Sequence, residues 1–148
     1  MTTTRSAATP EEAAYVFLEQ AKQELSRDKA IAPFAVLVYG GPELTYDLMA
    51  LIFTEDTKRA VFEEVGSTAR EKLASAIITV TQASFGRVDE ERPWKDCIFV
   101  TVSGPNIETI TLYLPYMTGG WFNKRVRFGD LQRRTQKAPL GFLPGWPS

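Results

Sequence analysis

CIFVTVSGPNIETITLYL, residues 97–114, is the stretch that decides the fold of this chain. Two runs rich in β-branched and aromatic residues flank a Gly-Pro-Asn turn at residues 104–106. In the second run, Ile110, Leu112 and Leu114 alternate with more polar residues, and a period of two is typical of a strand that lies with one face on the core. The stretch therefore predicts an antiparallel β-hairpin, because a short connection that contains glycine suits such a turn.

Helical and extended patterns alternate on either side of this hairpin. Thr9 is a typical N-cap residue, and Pro10 at the first helical position predicts the start of a helix. Thr54 is expected to cap a second helix, with Glu55 and Asp56 in the first turn, where the helix dipole favours carboxylates. The predicted elements are a helix from Thr9 to about Asp28, strands at 34–39 and 44–53, a helix at about 54–75, a strand at 77–81, the hairpin, and a short last strand at 123–128.

The order of these elements is α-β-β-α-β-β-β-β, without the β-α-β repeats that a parallel sheet needs. It predicts an α+β fold in which two main helices pack on a mostly antiparallel sheet of about five to six strands. Over residues 9–128 this order resembles the profilin-like and roadblock-type arrangement, in which helices flank a central antiparallel sheet. The resemblance rests on element order and on no residue motif, so no functional site is carried over from it.

The length of 148 residues fits a single domain that can bury a sizeable core. Residues 1–8 are small and polar, and we expect them to be disordered. Residues 9–137 contain every predicted helix and strand and form the single α+β domain. Residues 138–148 contain three prolines, two glycines and four large apolar side chains, so they suit neither a regular helix nor a central strand. We expect this apolar tail to dock on the domain or on a partner.

Charge and cysteine content narrow the functional classes. The formal net charge is −1 and the pI is about 5.6, which disfavours nucleic-acid binding as the main task, because such binding needs many Lys and Arg contacts to phosphates. The single cysteine, Cys97, has no intramolecular disulfide partner and is expected to be a small buried residue. Without a signal-peptide pattern or a long apolar run, the chain is expected to be cytoplasmic and to have no membrane partner.

Histidine is absent from the sequence. This absence excludes Ser-His and Cys-His nucleophile pairs, imidazole general bases and the usual zinc sites that contain histidine. Gly40-Gly41 and Gly119-Gly120 lack the spacing of a phosphate-binding loop and are interpreted as turns. No catalytic residue, metal site or cofactor is predicted. Carboxylates on different strands could still meet in one cleft, so a small carboxylate-dependent enzyme stays open as an alternative.

The C-terminal third carries a basic segment with aromatic residues. Between residues 121 and 137 there are six Lys and Arg residues against one Asp, beside Trp121 and two phenylalanines. Such a segment could bind single-stranded nucleic acid through phosphate contacts and base stacking. Lys and Arg on an edge strand also discourage edge-to-edge pairing of sheets, and we favour that interpretation. The acidic region at residues 9–56 could complement the basic segment between two copies of the chain.

Three functions are compatible with these patterns. The leading hypothesis is a non-catalytic binding or assembly domain of a bacterial-type cytoplasmic protein, whose partner is itself or another protein. The alternative is a small carboxylate-dependent enzyme or a small-ligand-binding domain, which the long polar loop at residues 86–95 motivates. Weak nucleic-acid binding through residues 124–137 is the third. The candidate ligand or partner surface consists of Trp94, Tyr116, Trp121, Arg125, Arg127, Arg133, Arg134, Phe142 and Trp146.

Overall fold

Two helices and a seven-stranded antiparallel sheet make up the described structure, which confirms the predicted α+β fold. The computed structural model describes residues 9–84, 96–118, 125–137, 140–144 and 146–147, so the predicted disorder of residues 1–8 falls outside the described residues. The helices are α1 (Pro10–Asp28) and α2 (Lys58–Glu71). The strands are β1 (Phe34–Tyr39), β2 (Thr45–Ala50), β3 (Ala76–Ser84), β4 (Asp96–Gly104), β5 (Ile107–Thr118), β6 (Val126–Phe128) and β7 (Gln132–Gln136). No described helix is long and apolar enough to cross a membrane.

The sheet has the strand order β2-β1-β3-β4-β5-β6, and the described strand pairs are antiparallel. The predicted hairpin is the β4–β5 pair, in which Val100 lies opposite Leu112. The sheet does not end at the predicted last strand, because β7 also pairs with β5. Since β5 is 12 residues long, its outer edge accommodates both β6 and β7. All residues of β7 are exposed, so the sequence carries no apolar alternation that would predict this strand.

One face of the sheet is covered by α1. The helix begins as predicted, because the side-chain oxygen of Thr9 accepts a hydrogen bond from the N–H of Glu12 at 3.2 Å. A buried stripe of α1 packs on alternate residues of the strands β1 to β5. Within this layer, the ring centroid of Phe17 lies 5.9 Å from that of Phe34 and 5.6 Å from that of Tyr46. The buried residues of α1 are Ala13, Ala14, Phe17, Leu18, Ala21 and Leu25.

The opposite face of the sheet is covered in two parts. α2 packs on β1 and β3, and the apolar tail joins the same core. Trp146 is 3% exposed, and its indole N–H donates a hydrogen bond to the Ser103 hydroxyl at 3.0 Å. The described part of the tail therefore docks on its own domain. The buried residues of this layer include Phe62, Val65 and Ala69 of α2 and Leu140, Leu143 and Trp146 of the tail.

Hydroxyl side chains occupy the centre of the sheet on the face that α2 and the tail cover. Thr79, Thr101 and Thr111 lie opposite one another across β3, β4 and β5, and all three are buried. The hydroxyls of Thr79 and Thr101 share a hydrogen bond. The alternation in β5 predicted one polar, exposed face, but both faces of this part of the sheet are covered. Buried hydroxyls are tolerated here because the described buried side-chain polar atoms all have hydrogen-bond partners.

The second helix is shorter than predicted. It begins at Lys58 rather than at Thr54, because a separate turn precedes it. The carbonyl oxygen of Thr54 accepts hydrogen bonds from the N–H groups of Thr57 and Lys58, at 3.1 Å and 2.9 Å. Glu55 and Asp56 therefore lie in that turn and not in the first turn of the helix, which corrects the expected capping at Thr54.

Two glycines mark places where the backbone comes close to a neighbouring segment. A Cβ at Gly66 of α2 would lie 3.3 Å from the carbonyl oxygen of Pro144 and 3.4 Å from the Cβ of Trp146, both in the tail. A Cβ at Gly104, the last residue of β4, would overlap the carbonyl oxygen of Ser75. Glycine permits both approaches because it has no side chain.

Replacing Gly104 by alanine should destabilise the chain by about 2 kcal/mol, because a backbone oxygen cannot rotate away from the added methyl group. Urea unfolding followed by circular dichroism measures the change in the free energy of unfolding. Gly141→Ala is the matched control, since no atom lies within 4 Å of a Cβ at that position. Equal stability of the two variants would contradict the packing assigned to Gly104.

Trp146→Ala tests whether the tail is part of the core. We expect it to lower the free energy of unfolding by about 3–5 kcal/mol, the usual range for removal of a buried aromatic side chain. Ile52 is 85% exposed, so Ile52→Ala should change the same quantity by less than about 0.5 kcal/mol. If urea unfolding finds the two variants equally stable, the tail does not contribute to the core.

Candidate binding cleft

A cleft of about 540 Å³ opens between α2, the end of β3 and the apolar tail. Its walls include the turn before α2, the last four residues of β3, Phe99 of β4 and Phe142 of the tail. Ile31 and Pro33, which precede β1, also line it. A second concavity of about 410 Å³ shares Phe142 with the first, so the groove continues along the tail. Volumes of this size are common for ligand sites.

A chain of aromatic rings lines the cleft. Phe62 of α2 contacts Phe53 and Phe142, with ring centroids 5.6 Å and 5.3 Å apart. Phe142 in turn lies 6.3 Å from Phe99, and Phe99 lies 5.1 Å from Tyr113 on the neighbouring strand. Edge and tilted contacts of this kind contribute about 0.5–1.5 kcal/mol for each ring pair. The rings therefore form an ordered apolar wall that joins the start of α2 to the sheet.

The last four residues of β3 have no strand partner on the β1 side within the described part of the chain. Pairing of β1 with β3 ends where Phe34 lies opposite Val80, whereas pairing of β4 with β3 continues to Ser84. Burial follows the same division, because residues 76–80 are buried and residues 81–84 are alternately half-buried and exposed. These four residues, Thr81–Ser84, form a free edge of β3 that lines the cleft.

The hydrogen bond of Ala32 explains why β1 stops pairing with β3 at this point. Pro33 faces β2, because its carbonyl oxygen accepts a hydrogen bond from the N–H of Leu51 at 3.0 Å, so Ala32 is the next residue whose N–H would face β3. That N–H is directed towards α1, where it donates a hydrogen bond to the Glu24 carboxylate at 3.2 Å. The chain therefore leaves the position beside β3, and the cleft occupies the space that a longer β1 would fill.

Two charged side chains, Glu55 and Lys58, line the cleft. The Lys58 ammonium lies 5.8 Å from the centroid of the Phe53 ring, a distance at which the ring face attracts a cation. Arg59, the next residue, is paired with Glu63 at 3.2 Å. No described carboxylate forms an ion pair with Lys58. Its charge is therefore available to an anionic group of a ligand.

The described residues in and beside the cleft offer shape and apolar surface rather than a reactive group. No cluster of three or more metal-ligating side chains occurs among the residues that the structure describes. Cys97, which lies opposite Ala83, is buried as predicted, and burial raises the pKa of its thiol to about 11. A thiol with this pKa carries almost no thiolate at neutral pH, so it is a poor nucleophile.

The apolar and aromatic residues predicted as a surface lie in different parts of the structure. Phe142 lines the cleft, whereas Trp146 is buried in the core that α2 and the tail share. Tyr116 is buried on the opposite face of the sheet, with the residues that α1 covers, and burial raises the pKa of its hydroxyl to about 12. Trp94 and Trp121 lie outside the described residues. Of this group, the structure brings Phe142 alone to the cleft among the described residues.

Arg133 of β7 is bound to Glu11 of α1. Its guanidinium donates two hydrogen bonds to the carboxylate, at 2.8 Å and 2.9 Å. These hydrogen bonds hold the pKa of the Glu11 carboxyl below its usual value. The contact joins the acidic region to the basic segment within one chain, whereas the sequence suggested that the two could meet between copies.

The other three predicted arginines lie on or beside the outer strands β6 and β7. The guanidinium of Arg134 lies 5.6 Å from the centroid of the Tyr113 ring, which is a cation–π contact to β5. Arg125 and Arg127 are exposed. β7 is exposed along its whole length, and basic side chains on such a strand discourage pairing with another sheet.

Sequence reasoning did not select Phe53, Phe62, Phe99 or the free edge of β3 as site residues. Phenylalanine at helical or strand spacing most often marks a core position, and these three have the same patterns as their buried neighbours. The free edge depends on the hydrogen bond from the N–H of Ala32 to Glu24 in α1, which is a tertiary contact and not a local sequence signal.

Comparison of the chain with protein-family models, with curated proteins and with solved structures finds no match. Its function is therefore inferred from the geometry and chemistry of the cleft, which combines an aromatic wall, a free strand edge and a lysine without a carboxylate partner among the described residues.

Cys97 should react slowly with alkylating reagents while the chain is folded. With a thiol pKa of about 11, the thiolate fraction at about pH 8 is more than about 100-fold below that of a free cysteine. We expect iodoacetamide to modify the native chain at least about 100-fold more slowly than the chain unfolded in urea. Mass spectrometry of quenched samples measures both rates, and equal rates would contradict the burial of this thiol.

Proposed function

We propose that this chain is a non-catalytic binding domain and that the aromatic cleft is its binding surface. The observation that carries the proposal is the chain of rings from Phe53 through Phe62 and Phe142 to Phe99, which lines an open cleft. Exposing apolar surface to water is unfavourable, and a contiguous apolar patch in a concave site is typical of a binding surface.

The way the cleft is built supports this proposal. Its walls come from α2, from the β3–β4 pair and from the tail, and each of these is anchored in the adjacent core. Phe62 is 3% exposed, and the tail is held by the buried Trp146. A site with anchored walls needs little ordering when a ligand binds, so less of the interaction energy is lost.

The lining indicates the chemistry of the ligand. Phenylalanine rings favour apolar and aromatic groups, through stacking and edge contacts. Lys58 adds a cation, while Glu55 at the same site disfavours a ligand of high negative charge. We infer a mainly apolar ligand that carries one acidic group.

The partner is proposed to be a different molecule rather than a second copy held by the apolar tail. The large apolar residues Leu140, Leu143 and Trp146 are buried in the core of their own chain, so they do not present an exposed patch to another copy. We propose the cytoplasm as the location, because a lone reduced thiol such as that of Cys97 suits a reducing compartment.

Anilinonaphthalene sulfonate, a fluorescent dye, provides a test because it combines an aromatic body with one negative charge. We expect the folded chain to bind one dye molecule with a saturable rise in fluorescence. Ala83 lines the cleft, so Ala83→Leu should fill part of it and weaken dye binding at least about tenfold. Fluorescence titration yields the dissociation constant of each variant.

Ala50→Leu is the matched control, because Ala50 is an exposed strand residue that does not line the cleft. It should bind the dye as the native chain does. Cooperative thermal unfolding must be established for every variant, since the dye also binds loosely packed chains. The proposal fails if the folded native chain does not bind the dye, or if both leucine variants bind it equally well.

A further inference from the structure

We propose that the natural occupant of the cleft is an extended peptide segment of a partner protein, which adds as a strand to the free edge of β3. This inference rests on the proposed function, because it names the kind of ligand that the aromatic cleft binds. The observations that carry it are the unpaired side of Thr81–Ser84 and the position of this edge beside the rings.

The free edge offers backbone hydrogen-bonding groups to a ligand. In an antiparallel ladder, alternate residues direct their N–H and C=O groups to opposite sides of the strand. β4 pairs with one side of Thr81–Ser84, so two of these four residues direct both groups to the side that no described strand occupies. An extended peptide provides a matching row of donors and acceptors, which a compact small molecule does not.

The two faces of β3 decide where the side chains of the added strand point. Thr81 lies opposite Phe99 and Ala83 lies opposite Cys97, so these side chains share the face on which Phe99 contacts Phe142. Peptide residues beside Thr81 and Ala83 project to the same face, towards the rings. Both residues are small, which leaves room for large groups. The peptide therefore has large apolar side chains at two positions separated by one residue.

Lys58 adds a preference for an acidic residue. It lines the cleft at the start of α2, and no described carboxylate pairs with it. An acidic side chain two positions beyond an apolar one lies on the same face of an extended peptide. Its charge complements that of Lys58, which favours such a peptide over a purely apolar segment.

The geometry of the edge favours a single segment over a second copy of this chain. The free edge spans four residues, which is about 13 Å of strand. Phe53, Phe62 and Phe142 line the same cleft, so the edge is recessed rather than open on all sides. The sheet edge of another copy, with the layers packed on its faces, is too broad to enter the cleft, whereas one extended strand fits.

A five-residue probe, acetyl-Phe-Thr-Phe-Thr-Glu-amide with a fluorescent label, carries the inferred pattern. We expect it to bind the full native chain and to displace anilinonaphthalene sulfonate from the cleft. Fluorescence anisotropy measures its dissociation constant. Lys58→Glu should weaken probe binding about tenfold, because attraction becomes repulsion. Lys72→Glu, at the exposed C-cap of α2, is the matched control and should leave binding unchanged within about twofold.

Two isomeric probes test the strand pairing itself. One carries N-methyl groups on both Thr residues and the other carries them on both Phe residues. In an added strand, one of these sets directs its N–H groups to β3 and the other directs them away. We expect one isomer to lose at least about tenfold in affinity and the other to bind within about threefold of the parent probe.

Equal affinities for the two isomers would overturn strand addition, because the backbone N–H groups would then play no directional part. If the dye binds and the parent probe does not, the ligand is a small molecule and the peptide inference fails while the binding function stands. If neither binds, both proposals fall. An isomer-dependent loss together with the Lys58→Glu effect supports the peptide.

Discussion

Burial of β3 and β4 on both faces is the constraint on which the rest of the structure depends. Side chains such as Ile77 and Ile78 project to opposite faces of β3, and both are fully buried. α1 covers one face of the sheet. On the opposite face, α2 has only 14 residues and packs on β1 and β3, so the apolar tail covers the part that α2 does not reach. The hydrogen bond from Trp146 to Ser103 fixes the tail in that position. Because α2 and the tail are two separate segments, a groove remains where they meet on this face.

That groove becomes a cleft because the sheet itself is incomplete beside it. β1 pairs with β3 as far as Phe34, and the ladder does not continue because the N–H of Ala32 donates to Glu24 of α1 instead of to β3. One consequence is the free edge at Thr81–Ser84, and another is that rings from α2, β4 and the tail reach the same space. The proposed binding surface therefore arises because β3 is longer than the strand beside it. The turn of the chain at Ala32 towards α1 and the place where the tail docks together create the cleft.

Polar groups have two different roles in this fold. In the interior, the hydroxyls of Thr79 and Thr101 share a hydrogen bond on a covered face of the sheet. This hydrogen bond offsets the cost of burying the two polar groups. Outside, Arg133 binds Glu11 and ties the outermost strand to α1, although both side chains stay partly exposed. Exposed pairs of this kind add little to stability, so the basic strand β7 is better understood as protection of the sheet edge than as a stabilising element.

The sequence by itself determined the features that depend on neighbouring residues. The start of α1 at Thr9, the β4–β5 hairpin and the burial of Cys97 all follow from local spacing, and the order of helices and strands follows from their periods. It did not determine β7, whose exposed polar residues pair because β5 is long enough to accept them. Nor did it determine the cleft, because Phe62 and Phe142 meet only through packing of segments far apart in the chain. A phenylalanine has the same local pattern whether its ring closes a core or lines a cleft, so only the tertiary structure decides between them.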